Sequence, residues 1–226
     1  MFSAAIFDMD GLLIDSERTI MDTWLSVARD FGVDIAPARY LEIVGRAAPE
    51  CFAMLTTMLG SESLFREAQA RVRQRLHAPT DTPLFPLKPG AHTLLTTLAE
   101  AGIPCAVASS SNRQEIESRL DQVGVLGFFR ALAGGNEVPR GKPDPAVYQL
   151  AASRLQAAPA TCLAFEDSEN GARAADRAGM RVVTVPDLKL PTEEVAGMSF
   201  RLLGRLDEAV EHVPVWFAGR GGVGMA

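Results

Sequence analysis

The sequence predicts an α/β protein, an open parallel sheet flanked by helices and carrying an inserted all-helical domain. Three observations lead there. Short apolar runs alternate with amphipathic helical stretches, the pattern of βαβ units. Several of those runs end in polar or acidic residues, and ligands bind at that end of the strands in an open parallel sheet. Between them lies one long block, residues 16–83, with helical periodicity and no convincing strand.

Ala4–Phe7 reads as the first buried strand. In the block that follows, Ile20, Trp24, Ala28 and Phe31 recur at helical spacing and Gly32 stops that helix. Further helical patterns cover Cys51–Leu59 and Leu64–Leu76. Pro79, Pro83, Pro86 and Pro89 mark the return to the core. A helix then runs from Pro89-Gly90 to Gly102, and Pro104–Ala108 is the second strand. Ser111 with Gln114 reads as a capping box for a helix closed by Gly124. Ala131–Ala133 is a weaker third strand. Asp144-Pro145 opens the helix Ala146–Leu155. Cys162–Phe165 and Arg181–Val185 are the remaining strands, separated by a helix that Ser168 caps and that ends before Gly179. The expected organisation is a core of residues 1–15 and 84–216, a helical domain of 16–83, and a loose glycine-rich tail, 217–226.

Composition narrows the function. Of the 226 residues, 47% are hydrophobic and 22% charged, ordinary globular values. The net charge of −6 supplies no basic field for a nucleic acid, while a single phosphate needs only a cation and a few donors. Cys51, Cys105 and Cys162 show no paired spacing, as in a reducing compartment. The start of the chain lacks a signal-peptide pattern, and no apolar run approaches the roughly 20 residues of a membrane span. A cytoplasmic protein with no membrane partner is expected.

Four groups carry chemistry. Asp8 and Asp10 follow the first strand and precede Gly11. Carboxylates so close repel unless a cation intervenes, and a hard divalent ion such as Mg2+ suits oxygen donors. A carboxylate can also attack phosphorus and split one difficult transfer into two. An ordinary acidic turn would look the same. Glu166-Asp167 follows another strand, so the two pairs can meet on one sheet edge; the lesser alternative is that Asp167 simply helps to cap the helix beginning near Ser168. Ser109-Ser110-Ser111 ends the second strand at a helix start, where hydroxyls and N–H groups bind anions, although capping alone accounts for one of these serines. Lys142, between Gly141 and Pro143, can offset phosphate charge, yet a lone lysine is commonly just a surface charge. The case rests on all four occurring in order. His77, His92 and His212 stand apart and offer no metal or nucleophile cluster.

The run Phe7-Asp8-Met9-Asp10-Gly11-Leu12-Leu13-Ile14-Asp15-Ser16-Glu17 resembles the first motif of the haloacid dehalogenase superfamily, in the branch with a small helical cap inserted after it. Val107–Ser111, Gly141–Pro145 and Phe165–Gly171 resemble the second, third and fourth motifs, so the resemblance spans nearly the whole chain. It implies a Rossmann-like core and a cap over residues 16–83. It gives Asp8 the role of nucleophile and metal ligand. Asp10 would be the general acid/base, with its carbonyl on the metal. Ser109, the N–H of Ser110 and Lys142 would hold the transferring phosphoryl group. Asp167 would complete the Mg2+ site, with Glu166 close by. Arg46 and Glu17 are the cap and hinge residues expected to read the substrate.

Dehalogenases of the superfamily lack the second aspartate of the first motif, so Asp10 argues against that reaction. The expected activity is Mg2+-dependent hydrolysis of a small phosphorylated metabolite, a sugar phosphate or nucleoside monophosphate, through an aspartyl-phosphate. The chain is similar to β-phosphoglucomutase-like and pseudouridine-5'-phosphatase-like members. A sugar-phosphate mutase is the alternative, but such mutases carry a histidine shortly after the first motif, where this chain has Glu17-Arg18-Thr19-Ile20. A second alternative, a non-catalytic phosphometabolite-binding protein, would be expected to have lost Asp8, Asp10 or Lys142. The expected assembly state is a monomer, with a homodimer as the alternative.

Overall fold

The structure is a computed structural model that describes residues 1–44, 48–76, 78 and 83–217. Two compact units emerge, one formed by Met1–Ile14 with the chain from Pro86 onward, the other by Asp15–Phe85. The first contains six strands: β1 (Ala4–Phe7), β2 (Cys105–Ala108), β3 (Phe129–Ala133), β4 (Cys162–Glu166), β5 (Arg181–Thr184) and β6 (Arg201–Leu202). They form one sheet in the order β3-β2-β1-β4-β5-β6, with every pair parallel. The helices of the second unit are α1 (Ser16–Asp30), α2 (Pro37–Leu41), α3 (Ala48–Leu59) and α4 (Glu62–Leu76). Those of the first are α5 (Ala91–Glu100), α6 (Arg113–Gln122), α7 (Ala146–Arg154), α8 (Glu169–Arg177), α9 (Glu193–Met198) and α10 (Val213–Trp216).

β1 is central because each of its four residues is apolar and fully buried, as a strand covered on both faces must be. Side chains on a strand alternate between faces. One face of the sheet carries Ala4, Ile6, Ala106, Ala108, Ala164 and Val182, which pack with Val147, Tyr148, Ala151 and Ala152 of α7 and Ala172 and Ala175 of α8. Small residues on both layers bring α7 and α8 close to the strands. On the other face Phe7 stacks on its register partner Phe165, with ring centroids 4.7 Å apart, and meets Phe129 edge-on. This core sets the ends of β1, β2 and β4 side by side.

Where expectation and structure differ, longer-range contacts decide. β4 runs one residue further than expected, so Glu166 is a buried strand residue. β3 begins two residues earlier and β6 was not anticipated; its two exposed residues carry no apolar-run signal. The capping box of α6 is Asn112 with Glu115, rather than Ser111 with Gln114, because the Ser111 hydroxyl is engaged elsewhere. Asp144 does accept from the Ala146 N–H, 3.1 Å away. Phe217, the first residue of the expected tail, is buried against Phe2. Residues 218–226 of that tail, with His77, Pro79 and the Gly45-Arg46 loop, lie outside the described residues.

Within the first unit the chain leaves and returns at one place. Ile14 and Leu87 form an antiparallel bridge, and the Lys88 N–H donates to the Leu13 carbonyl at 2.8 Å. In the helical unit, Trp24 of α1 stacks on Phe65 of α4, with centroids 6.0 Å apart. Among the described residues no helix is long and apolar enough to cross a membrane.

Candidate active site

The Asp8 N–H donates to the Phe165 carbonyl at 3.0 Å, continuing the β1–β4 ladder one step past the strand. Asp8 therefore sits at the carboxyl edge of the sheet, 6% exposed. The chain then turns at Gly11, whose φ of +86° is costly for a residue with a Cβ. A Cβ there would also lie 2.3 Å from Asp167 Oδ2, so glycine is what lets Asp167 approach the first acidic loop.

Lys142 enters from the loop before α7. Its Nζ lies 2.5 Å from Asp8 Oδ1 and 2.6 Å from Glu166 Oε1, and 4.9 Å from the centre of the Tyr148 ring. The fully buried Tyr148 donates its hydroxyl to the same Glu166 oxygen at 2.9 Å. The other oxygen of Glu166 accepts from the N–H groups of Asp167 and Ser168 and from the Ser168 hydroxyl, each at 3.0 Å. Five donors on two oxygens use the roughly four lone-pair directions of a carboxylate. Glu166 thus anchors Lys142 and the turn into α8. Gly171 on that helix is equally constrained, since a Cβ there would fall 1.6 Å from Glu166 Oε1.

Electrostatics follow from this burial. Burial pushes the Asp8 carboxyl up to about 8; Lys142 pulls it down, and Glu166 and Asp10 push it further up. Burial alone would depress Lys142, but Asp8 and Glu166 outweigh it and hold the ammonium well above its usual range. Burial, followed by the charge of Glu166, raises the Tyr148 phenol well above its ordinary value, so it is a neutral donor. Asp8, Glu166 and Asp167 offer oxygens within 4.8 Å of one another, and Lys142 pairs with the first two. A hard divalent cation fits this donor set.

The serine loop leaves β2 beside this cluster. Ser109 is 1% exposed, and its hydroxyl accepts from the Ser111 N–H at 3.1 Å; Ser110 is exposed. The Ser111 hydroxyl donates to Asp10 Oδ2 at 2.8 Å, and Arg119 Nη1 lies 2.7 Å from Asp10 Oδ1. Asp8, Asp10, Ser109, Ser110, Lys142, Glu166 and Asp167 all belong to one unit, Glu166 as the last residue of β4 and the others on segments that follow β1, β2, β3 and β4. Glu17 belongs to the helical unit, half-buried in the first turn of α1, where its charge adds to burial in raising the phenol of Tyr40.

Sequence reasoning missed Tyr148, Arg119 and the task of Ser111. Tyr148 left a signal: Val147, Tyr148, Ala151 and Ala152 form one apolar helical face just after Lys142. Arg119 left none.

A sequence profile described as haloacid dehalogenase-like hydrolase matches residues 5–185. Validoxylamine A 7'-phosphate phosphatase of Streptomyces hygroscopicus subsp. limoneus is 34% identical over 80% of this chain and 84% of its own. Hexitol phosphatase B of Escherichia coli is 34% identical, covering 81% and 83%. The crystal structure of CbbY from Rhodobacter sphaeroides in complex with phosphate superposes with a TM-score of 0.66, at 27% identity over 92% of this chain and 96% of that one. Motif order, sheet topology and these likenesses agree: the chain belongs to the haloacid dehalogenase-like hydrolases, as a phosphoric monoester hydrolase.

Proposed function

We propose that this hydrolase removes phosphate from a small phosphorylated metabolite, of sugar phosphate or nucleoside monophosphate type, with Mg2+ and through a phosphorylated Asp8. The observation that carries the reading is the Lys142 bridge between Asp8 and Glu166 beside Asp167, buried at the carboxyl edge of the sheet. An Asp8 oxygen attacks phosphorus as the bond to the leaving oxygen breaks, and Asp10 gives that oxygen a proton. Asp10 then takes a proton from water, whose oxygen attacks the acyl-phosphate and frees inorganic phosphate and Asp8. Ser109, the Ser110 N–H and Lys142 hold the phosphoryl oxygens in line. A divalent cation held by Asp8, Asp167 and the Asp10 carbonyl would offset the charge of two approaching anions.

The relatives named for validoxylamine A 7'-phosphate and for hexitols support a small phosphorylated metabolite of sugar phosphate type as the substrate. The division into a catalytic core of 1–15 and 84–216 and a cap of 16–83, with Glu17 and Arg46 reading that group, belongs to the same proposal, as does a cytoplasmic, monomeric protein. The test is phosphate release from a panel of sugar phosphates, polyol phosphates and nucleotides, with Mg2+ and with chelator, following isomerisation in parallel. Release that needs metal is expected. Isomerisation with little release would make the protein a mutase, and inertness towards the whole panel would make it a binding protein.

A further inference from the structure

We propose that Arg119 is a positioning residue for Asp10, a part of the hydrolytic machinery supplied by α6. The proposal rests on the reading of Asp10 as the acid and base of the reaction. Arg119 lies in the last turn of α6 and reaches the loop after β1, pairing with Asp10 at 2.7 Å across 109 residues of sequence. Both side chains are 23% exposed, so neither partner is freely solvated. Ser111 takes the other carboxylate oxygen at 2.8 Å.

The geometry matters because the terminal torsion of an aspartate is soft. One donor fixes where one oxygen sits, whereas two donors on different oxygens also fix the plane of the group. A proton-transfer residue misplaced by about 1 Å can lose on the order of 100-fold in rate. The second donor is tied to the phosphoryl site itself, since the Ser111 N–H bonds to Ser109 Oγ. Arg119 and Ser111 therefore set Asp10 relative to the serine expected to hold the phosphoryl group. Ser111 thus links the two, donating its hydroxyl to Asp10 and its N–H to Ser109, while Arg119 donates to the other Asp10 oxygen. Both ends still reach solvent, which limits what the pair adds to stability, so its purpose should be visible in kinetics.

The experiment compares wild type, Arg119→Met and Arg119→Lys on two esters in the presence of Mg2+: p-nitrophenyl phosphate, whose leaving group needs no protonation, and the best alkyl phosphate from the substrate panel. Arg119→Met is expected to lower kcat on the alkyl ester about 10- to 100-fold with KM within about twofold. With p-nitrophenyl phosphate it should keep a rapid burst near one equivalent of nitrophenol, followed by a slowed steady state, because the first step needs no acid and the second needs a base. Arg119→Lys should recover part of both rates. Unchanged kinetics in Arg119→Met, or a parallel loss of burst, steady state and thermal stability, overturns the role. Those results are separable from failure of the functional reading, which would show as a wild type without metal-dependent turnover and would overturn both.

Discussion

Replacing Lys142 with methionine keeps most of the length of the side chain and removes its charge. Lys142 is 6% exposed, and its two carboxylate partners are 9% and 0% exposed, so solvent screens little of the interaction. Breaking a buried ion pair by deleting one partner costs about 3–5 kcal/mol, because the other charge stays behind; here, at pH 9, above the value of about 8 at which Asp8 ionises, two carboxylates stay behind. For a chain of this size 1 kcal/mol moves Tm by about 2–4 °C, so the metal-free variant should melt roughly 6–20 °C below wild type. Differential scanning calorimetry in chelator measures this directly. Mg2+ should then raise the Tm of the variant more than that of wild type, since the cation replaces part of the lost charge. The Tyr148 hydroxyl and the three donors on Glu166 Oε2 remain, which places the excess anion on Asp8. Adding Asp8→Asn should therefore restore most of the lost stability without restoring turnover. A metal-free Tm within 2 °C of wild type would refute the reasoning, because the cluster would not then depend on its lysine.

Other outcomes follow from the same coordinates. Asp8 has its folded-state pKa raised from 3.8 to about 8; a group raised in this way contributes stability below its unfolded pKa and loses it as pH rises through the folded value. Metal-free protein should therefore lose Tm between pH 5 and 8, and Asp8→Asn should flatten that slope while abolishing turnover; chelated melts at several pH values check both. Gly11→Ala, strained at positive φ by about 1–2 kcal/mol and crowding Asp167, should raise the Mg2+ concentration for half-maximal activity at least tenfold, read from a metal titration of phosphate release. Burial pushes the Cys105 thiol up to about 12 and that of Cys162 up to about 11. An alkylating reagent at pH 8 should accordingly label the half-buried Cys51 well before either of them, with the sites identified by peptide mass spectrometry.

Much of this architecture is legible along the chain because local patterns dictate it. Ala4–Phe7 and Cys162–Phe165 are apolar without interruption, and only strands buried on both faces are written that way. Their polar ends then bring Asp8 and Asp167 to one edge. What cannot be read is a partnership set by tertiary packing. Ser111 looked like a helix cap until Asn112 was found in that position, and only the fold reveals that its hydroxyl meets Asp10, 101 residues away. Glu166 was expected beside the metal. Its place inside β4 among five donors depends on Tyr148 and Lys142, which no spacing within its own segment could announce.

The bridge between Ile14 and Leu87 has a bearing on how such a chain can be remodelled. Seen from the sheet, everything between those two residues is the tip of a hairpin. Closing a loop becomes harder only with the logarithm of its length, about 0.6 kcal/mol per doubling. Lengthening a tight turn through about four doublings, to a whole folded unit, therefore burdens the core by only about 2.5 kcal/mol. The helical unit can in consequence be exchanged for another of different size or make without retuning the strands of the core, so long as the two chain crossings keep their register. Grafting the corresponding segment of another phosphatase between Ile14 and Leu87 should leave the core folded, with the donor of the segment dictating which ester is cleaved.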